Sequence, residues 1–267
     1  MEVGVLMSAT ANKYSEMKME NVYKVYGSLV ALKDCSFDVA KGKMTCLLGP
    51  SGSGKSTIIN LLAGHVKPDG GKVLMDGEPV GSPGPDKIVV FQEAALMPWK
   101  TLMENVSFGP LIQKKLSVEE VNKRAQDLIN KSGLTGFENK YPFQLSGGMQ
   151  RRAELIRALI NEPKVMLMDE PLRGVDAMTR EILQAYVIKL YEETMMTALF
   201  ITTEIDEAIY LGDVIYFLTP RPGSIKARID IDLPRPRTYH TLTSKRFFEL
   251  KAKAISIVME EASTQLA

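Results

Sequence analysis

The sequence predicts an α/β fold, with a mostly parallel sheet core, an N-terminal antiparallel β subdomain and an inserted helical subdomain. Three observations carry this. Short strand-like runs between turn residues fill positions 19 to 48, and an amphipathic helical stretch interrupts the chain from about 93 to 150. From Ala153 onward, helical periods alternate with apolar strands, the pattern of β-α-β units in a buried sheet. At 267 residues the chain suits one large domain of this kind.

Taken in order, Glu20–Tyr26 reads as a strand closed by a Gly27 turn, followed by Cys35–Val39, the Lys41–Gly42–Lys43 turn and Met44–Leu48. The glycine-rich run after Leu48 gives way to Ile58, Ile59, Leu61 and Leu62 at helical spacing, and Gly64 stands where that helix would stop. Lys72–Met75, an Asp76–Gly77 turn and Ile88–Phe91 read as further strand and turn, with 81–85 as loop. In the helical stretch Val118, Val121, Ala125, Leu128 and Ile129 share one face, behind Ser117 and Glu120 as a capping pair. Beyond it come a helix from Arg151-Arg152-Ala153 to about Ile160, a strand Val165–Met168, a helix Met178–Glu193, a strand Ala198–Thr202 and a helix Glu207–Leu211. A tail helix from about Ser244, with Phe247, Phe248, Leu250, Ile255 and Val258, is amphipathic and reads as packing on the chain's own core.

Composition excludes several classes. With 33 Lys plus Arg against 32 Asp plus Glu, the net charge of +1 gives no field that would draw the chain to nucleic acid or acidic lipid, so no nucleic-acid partner is expected. Cys35 and Cys46 form no C-x-x-C or Cys/His pattern, which argues against a zinc site or a disulfide framework and fits a reducing compartment. No stretch reaches the roughly 20 apolar residues that span a bilayer, and no secretory leader is evident, so the expectation is a chain neither exported nor membrane-spanning.

Two motifs carry chemistry. Gly49-Pro50-Ser51-Gly52-Ser53-Gly54-Lys55-Ser56-Thr57 follows a strand and opens a helix, as G-x-x-x-x-G-K-[ST] requires. Its glycines let main-chain N–H groups turn inward as an anion nest, Lys55 reaches the outer phosphates, and the Ser56 hydroxyl is placed to ligate Mg2+. The apolar strand before Asp169-Glu170-Pro171 delivers two carboxylates to one sheet edge, the first to hold Mg2+ through a water, the second to polarise a water for attack on a γ-phosphate. A third run, Leu145-Ser146-Gly147-Gly148-Met149-Gln150, is either a helix cap with a tight turn or a second anion cradle, for a phosphate held by another chain.

The order of Tyr26-Gly27, the phosphate loop, Phe91-Gln92, Leu145 to Gln150, Met168 to Pro171 and Val175-Asp176-Ala177 resembles the ATP-binding subunits of ABC transporters over about residues 18 to 235. The resemblance implies a P-loop NTPase (RecA-like) core at 18–240, after a 1–17 tail and before a C-terminal helix at 241–267. It implies ATP and Mg2+ as ligands, Tyr26 stacking on adenine, and Gln92 contacting the metal and the attacking water. Ser146, Gly147, Gly148, Met149 and Gln150 would cover the nucleotide of an opposing subunit, with Asp176 at the dimer seam.

Such subunits sit at the cytoplasmic face of the cell membrane through permease subunits and serve, indirectly, a solute-binding protein. A permease helix would dock near Gln92, around Leu96–Lys100. The stretch Val90 to Val106 and the ending Leu233-Pro-Arg-Pro-Arg237 look like the nitrate, sulfonate, taurine and bicarbonate importers. Trp99, the only tryptophan, reads either as a core anchor of the helical subdomain or as a partner contact.

The chain departs from the family pattern at three places. Thr203 stands where a histidine is usual; it lacks a cation's reach, and losing one such donor costs about 2.7–4 kcal/mol of transition-state stabilisation. Arg173-Gly174-Val175-Asp176 replaces Gly-Ala-Leu-Asp, and Met149-Gln150-Arg151-Arg152 permutes the order after the signature glycines. Two readings follow: a working ATPase with Glu170 as catalytic base, Gln92 assisting and Thr203 tolerated, or an impaired-site partner in a heterodimer. A soluble, non-transport ABC ATPase usually carries paired cassettes or a long coiled coil, and a small-molecule kinase does not explain the third motif.

Overall fold

The computed structural model describes residues 14–93 and 95–266. β1 (Met17–Tyr26) and β2 (Leu29–Val39) form an antiparallel hairpin around Gly27, and β4 (Gly70–Met75) with β5 (Glu78–Pro79) extends it into a four-stranded sheet ordered β2-β1-β4-β5. The second sheet takes β3 (Met44–Leu48), β6 (Lys87–Val90), β7 (Val165–Asp169), β8 (Thr197–Thr202), β9 (Val214–Leu218) and β10 (Ile225–Asp230) in the order β10-β9-β3-β8-β7-β6. Its pairs are parallel except the edge pair of β10 with β9. The P-loop NTPase architecture expected from the sequence is the one observed.

Every residue of β3, β8 and β9 is buried, as a parallel sheet covered on both faces requires. Pleating sorts the side chains. Met44, Cys46 and Leu48 enter a core shared with α5 (Ala177–Thr194), α6 (Ile205–Leu211) and α8 (Lys245–Leu266). Leu47 enters the opposite core, against α1 (Lys55–Ala63) and the antiparallel sheet. A third cluster is made by α2 (Leu102–Gln113), α3 (Val118–Lys131) and α4 (Gly147–Leu159). A short helix α7 (Tyr239–Leu242) precedes α8.

The structure corrects several expectations. The helix expected from Arg151 begins at Gly147, because Ser146 accepts the Met149 N–H as its cap and the glycines form its first turn. The helical cluster accordingly includes Ala153, Ile156 and Ile160, past the expected boundary at 150. α2 lies within the stretch expected to be helical, and the structure delimits it: Thr101 and Glu104 form a full capping box at its start, and Pro110 is accommodated inside it. β9 was missed because only Gly212 and Asp213 separate its apolar run from the equally apolar α6.

Trp99 is 73% exposed, so it is not a core anchor. In α8 only part of the expected apolar face is inside: Phe247, Leu250 and Ala254 are buried, while Phe248, Ile255 and Val258 face out. Residues 1–13 of the expected tail lie outside the described residues, and the rest of it is docked. Tyr14 donates to the Thr194 carbonyl at 2.6 Å, Ser15 donates to Asp76, and β1 starts at Met17.

Candidate nucleotide site

The site assembles where the parallel strands end. β3 runs into the phosphate loop, whose Gly52 and Gly54 adopt φ of +79° and +94°, the left-handed region that glycine enters without strain. Space is as decisive as conformation at Gly54, where a Cβ would lie 2.7 Å from Leu32 Cδ2. The loop delivers the first amides of α1 to a common centre, where the helix dipole favours an anion.

Lys55, 5% exposed, donates from Nζ to the carbonyls of Gly49 at 3.0 Å and Pro50 at 2.8 Å. The same ammonium lies 3.2 Å from Glu170 Oε1. Ser56 Oγ donates to Asp169 Oδ2 at 3.0 Å, which brings the phosphate loop and the end of β7 together as expected. Burial pushes the Asp169 carboxyl up; the Ser56 hydrogen bond opposes the shift, Glu170 adds to it, and Lys55 opposes it. Ser51, Ser53 and Thr57 complete the loop, Ser53 fully buried.

Glu170 is 7% exposed, sits at φ +45°, and is fixed by its N–H bond to the Ile201 carbonyl at 3.0 Å. Its second oxygen accepts from Arg173 Nη1 at 2.9 Å, so two cations bracket the carboxylate. Arg173 stood out in the sequence only as an unusual residue; its spacing of three from Glu170 was the signal for this contact.

The remaining expected residues divide. Gln92 lies beyond the end of β6 with its side chain exposed, on the same sheet edge as Asp169. Tyr26, at the tip of β1, is 43% exposed with Lys24 Nζ 5.4 Å from its ring centroid, which leaves a face for stacking. Thr203 is exposed at the end of β8, and it is the neighbouring Thr202 whose hydroxyl is engaged, donating to Glu207 at 2.5 Å.

Of the third motif, Ser146, Gly147 and Gly148 present a hydroxyl and open amides at the start of α4. Met149 packs on the helical cluster, and the Gln150 amide donates to the carbonyls of Pro142 and Leu145 at 2.9 and 3.1 Å, so these two brace the motif from behind. Asp176 caps α5 by accepting the Thr179 N–H at 3.0 Å, and bonding from Thr179 holds its carboxyl below the usual range.

The donor set fits Mg2+: an alcohol and a carboxylate side by side are the hard oxygens that ion takes while leaving positions for phosphate and water. Among the described residues no group of three or more His, Cys, Asp or Glu could hold a metal without such help. No helix among them is long and apolar enough to cross a membrane.

A family model described as ABC transporter matches residues 32–173. The chain is 45% identical over 195 residues to the taurine import ATP-binding protein TauB of Pelagibacter ubique, covering 73% of each. It is 37% identical to the nitrate import ATP-binding protein NrtD of Synechococcus elongatus, over 87% of this chain and 86% of that one. Among solved structures it is similar to a dimeric ATP-binding cassette in a post-hydrolysis state bound to ADP and Pi. There the TM-score is 0.68 and the identity 33%, covering 80% of this chain and 98% of the other.

Proposed function

Because the chain belongs to the ABC transporter family and is an ATPase, we propose that it powers an importer for a small solute of the nitrate, sulfonate, taurine or bicarbonate class. The observation that carries the reading is the meeting of Lys55, Ser56, Asp169 and Glu170 at one sheet edge. Its relatives named for taurine and nitrate import support the solute class.

In this reading Lys55 exchanges its carbonyl and carboxylate partners for the outer phosphates, and the loop amides hold the rest of the chain of charge. Glu170 is thereby freed on one side, with Arg173 still fixing its other oxygen, and orients a water for in-line attack. Ser56, Asp169 and Gln92 would hold Mg2+, which supplies charge neutralisation on the phosphates. Tyr26 stacks on the base. Ser146 with the amides of Gly147 and Gly148 closes over the terminal phosphate held by a second copy, with Asp176 at the seam.

The subunit reaches the membrane through permease partners, with a solute-binding protein upstream of them. A cavity of about 230 Å³ between β6, α2 and α4, lined by Val90, Phe91, Met97, Phe108 and Glu154, has room for side chains of a docking permease segment, and exposed Trp99 lies in the chain between Met97 and Phe108. Exchange of Glu170 for Gln tests the chemistry: hydrolysis is expected to fall about a thousandfold or more while Mg·ATP stays bound. Turnover at the wild-type rate would sink the assignment. Exposed Thr203 favours a second reading, an impaired-site partner in a heterodimer, which vigorous hydrolysis by the purified chain alone would refute.

A further inference from the structure

One buried cluster takes no part in the nucleotide chemistry above, although its Glu154 also lines the cavity between β6, α2 and α4. Arg151, on the second turn of α4, is 5% exposed and Glu154 is 3% exposed, and they pair at 2.6 Å. Their remaining hydrogen-bonding capacity goes to one short stretch of main chain. Arg151 donates from Nη1 to the Phe91 carbonyl at 2.8 Å and from Nη2 to the Gln92 carbonyl at 2.5 Å. Glu154 Oε1 accepts the Ala95 N–H, and Arg157 Nη1 donates to the Ala95 carbonyl at 2.8 Å. Three side chains of α4 thus grip both sides of the segment that carries Gln92.

Burying two charges is costly, and an apolar pair of similar volume would commonly stabilise a fold as well or better. What such a pair secures is relative position, because the guanidinium fork reaches two carbonyls and a carboxylate in one fixed geometry. Burial raises the Glu154 carboxyl, and the Ala95 N–H and then the Arg151 charge oppose that shift. α4 is also the helix whose first turn is Gly147-Gly148 behind the Ser146 cap, with Gly148 about 4.5 Å and Gly147 about 6 Å along the axis from Arg151 at 1.5 Å per residue.

We infer that Arg151 and Glu154 are positioning residues that lock the Gln92 segment to the signature turn, so that Gln92 and Ser146 move as one body. The inference rests on the reading in which Gln92 meets Mg·ATP of its own chain and Ser146 meets that of a second copy. A shift of the Gln92 main chain on nucleotide binding is then delivered to Ser146 through side-chain contacts rather than through the intervening helices. This also gives the permuted order after the signature glycines a purpose: Arg151 and Glu154 sit three apart on the helix face turned toward residues 91–95.

The test is Arg151→Lys in the full chain. Lysine keeps a charge beside Glu154, so folding is retained, but its shorter side chain ends in one compact ammonium and lacks the planar fork whose separate nitrogens reach the Phe91 and Gln92 carbonyls. Amide exchange is followed in three peptides, around 49–57, 91–97 and 145–151, with and without Mg·ATP, beside steady-state hydrolysis. The expected result is protection of the phosphate-loop peptide as in the wild type, loss of nucleotide-induced protection at 145–151, and a kcat lowered at least tenfold with Mg·ATP affinity within twofold. Unchanged protection at 145–151 with wild-type kcat would overturn the inference while leaving the proposed function standing. A wild-type chain that neither binds nor hydrolyses Mg·ATP would overturn both. Should Arg151→Lys fold poorly, the double exchange Arg151→Gln with Glu154→Gln, which removes the fork and leaves no buried charge unpaired, is read in the same three peptides against the same outcomes.

Discussion

The molecule carries two small-residue turns at helix N-termini, and what stands behind each is different. The phosphate loop is backed by a buried lysine, by a hydroxyl paired with a carboxylate, and by a second carboxylate held between two cations. The turn at Ser146 offers a hydroxyl that caps its own helix and two open glycines, with Met149 and Gln150 spent on bracing it. Both present main-chain amides at the positive end of a helix. On the proposed reading only the first would grip a triphosphate unaided, and the second would add amides to a phosphate that something else presents. On that reading the contrast gives a physical reason for a dimer: each chain would hold one complete cradle and one lid.

The comparison breaks most visibly at Lys55. Lys55→Ala removes a charge-assisted donor from a buried site, worth about 1.5–3 kcal/mol per hydrogen bond, so Mg·ATP affinity is expected to drop on the order of a hundredfold. Titration with a fluorescent ATP analogue in Mg2+ reads this directly. Affinity within a few-fold of wild type would show that the loop amides suffice and that the two turns differ less than their surroundings suggest.

The lid is sharpened by a smaller effect. A Cβ at Gly148 would lie 2.8 Å from Thr179 Cγ2, a stiff β-branched neighbour at the start of α5, so Gly148→Val forces the signature turn and the Asp176 cap apart. Hydrolysis should fall at least tenfold with Mg·ATP affinity held within twofold, and the nucleotide-trapped dimer should vanish from size-exclusion profiles in a Glu170→Gln background. A loss of affinity equal to the loss of rate would mean that the lid is not acting on a second chain.

How much of this was legible in the sequence follows the same division. The phosphate loop and the Asp169-Glu170 strand end were readable because their chemistry is local: a strand, a turn and a helix, or a strand and two carboxylates. The Ser146 turn was readable as a pattern but its helix start was misplaced, because Gly147 and Gly148 weigh against a helix by propensity and only the Ser146 cap outweighs them. The Arg173 bracket and the Arg151–Glu154 clasp were visible only as odd residues. The carbonyls that Arg151 holds are brought close by the fold, and no residue-type pattern announces such acceptors, whereas Arg173 stands three residues from its carboxylate, a local spacing that is a signal in itself. The mixed face of α8 was misread for a similar reason: periodicity gives a stripe, and only packing says which half of it is covered.

The smallest effect concerns the one position where the complete cradle is poorer than its pattern. Thr203 follows the last residue of β8 and is exposed, beside Thr202, whose hydroxyl is bonded to Glu207. Thr203→His places a longer donor there, able to carry charge. A fully preorganised donor is worth about 2.7–4 kcal/mol, and an exposed one a fraction of that, so a gain in kcat of about tenfold or less is expected. Its signature is the pH profile. An imidazole has an ordinary pKa of about 6.5, and a nearby phosphate raises it; the gain is then full below that value and lost as pH rises through the raised one. A variant whose kcat keeps the wild-type profile from about pH 6 to 8.5, with no gain at the acid end, would show that the end of β8 does not reach the reacting phosphate. Thr203 would then be no handicap, and the heterodimer reading would lose the observation that favours it.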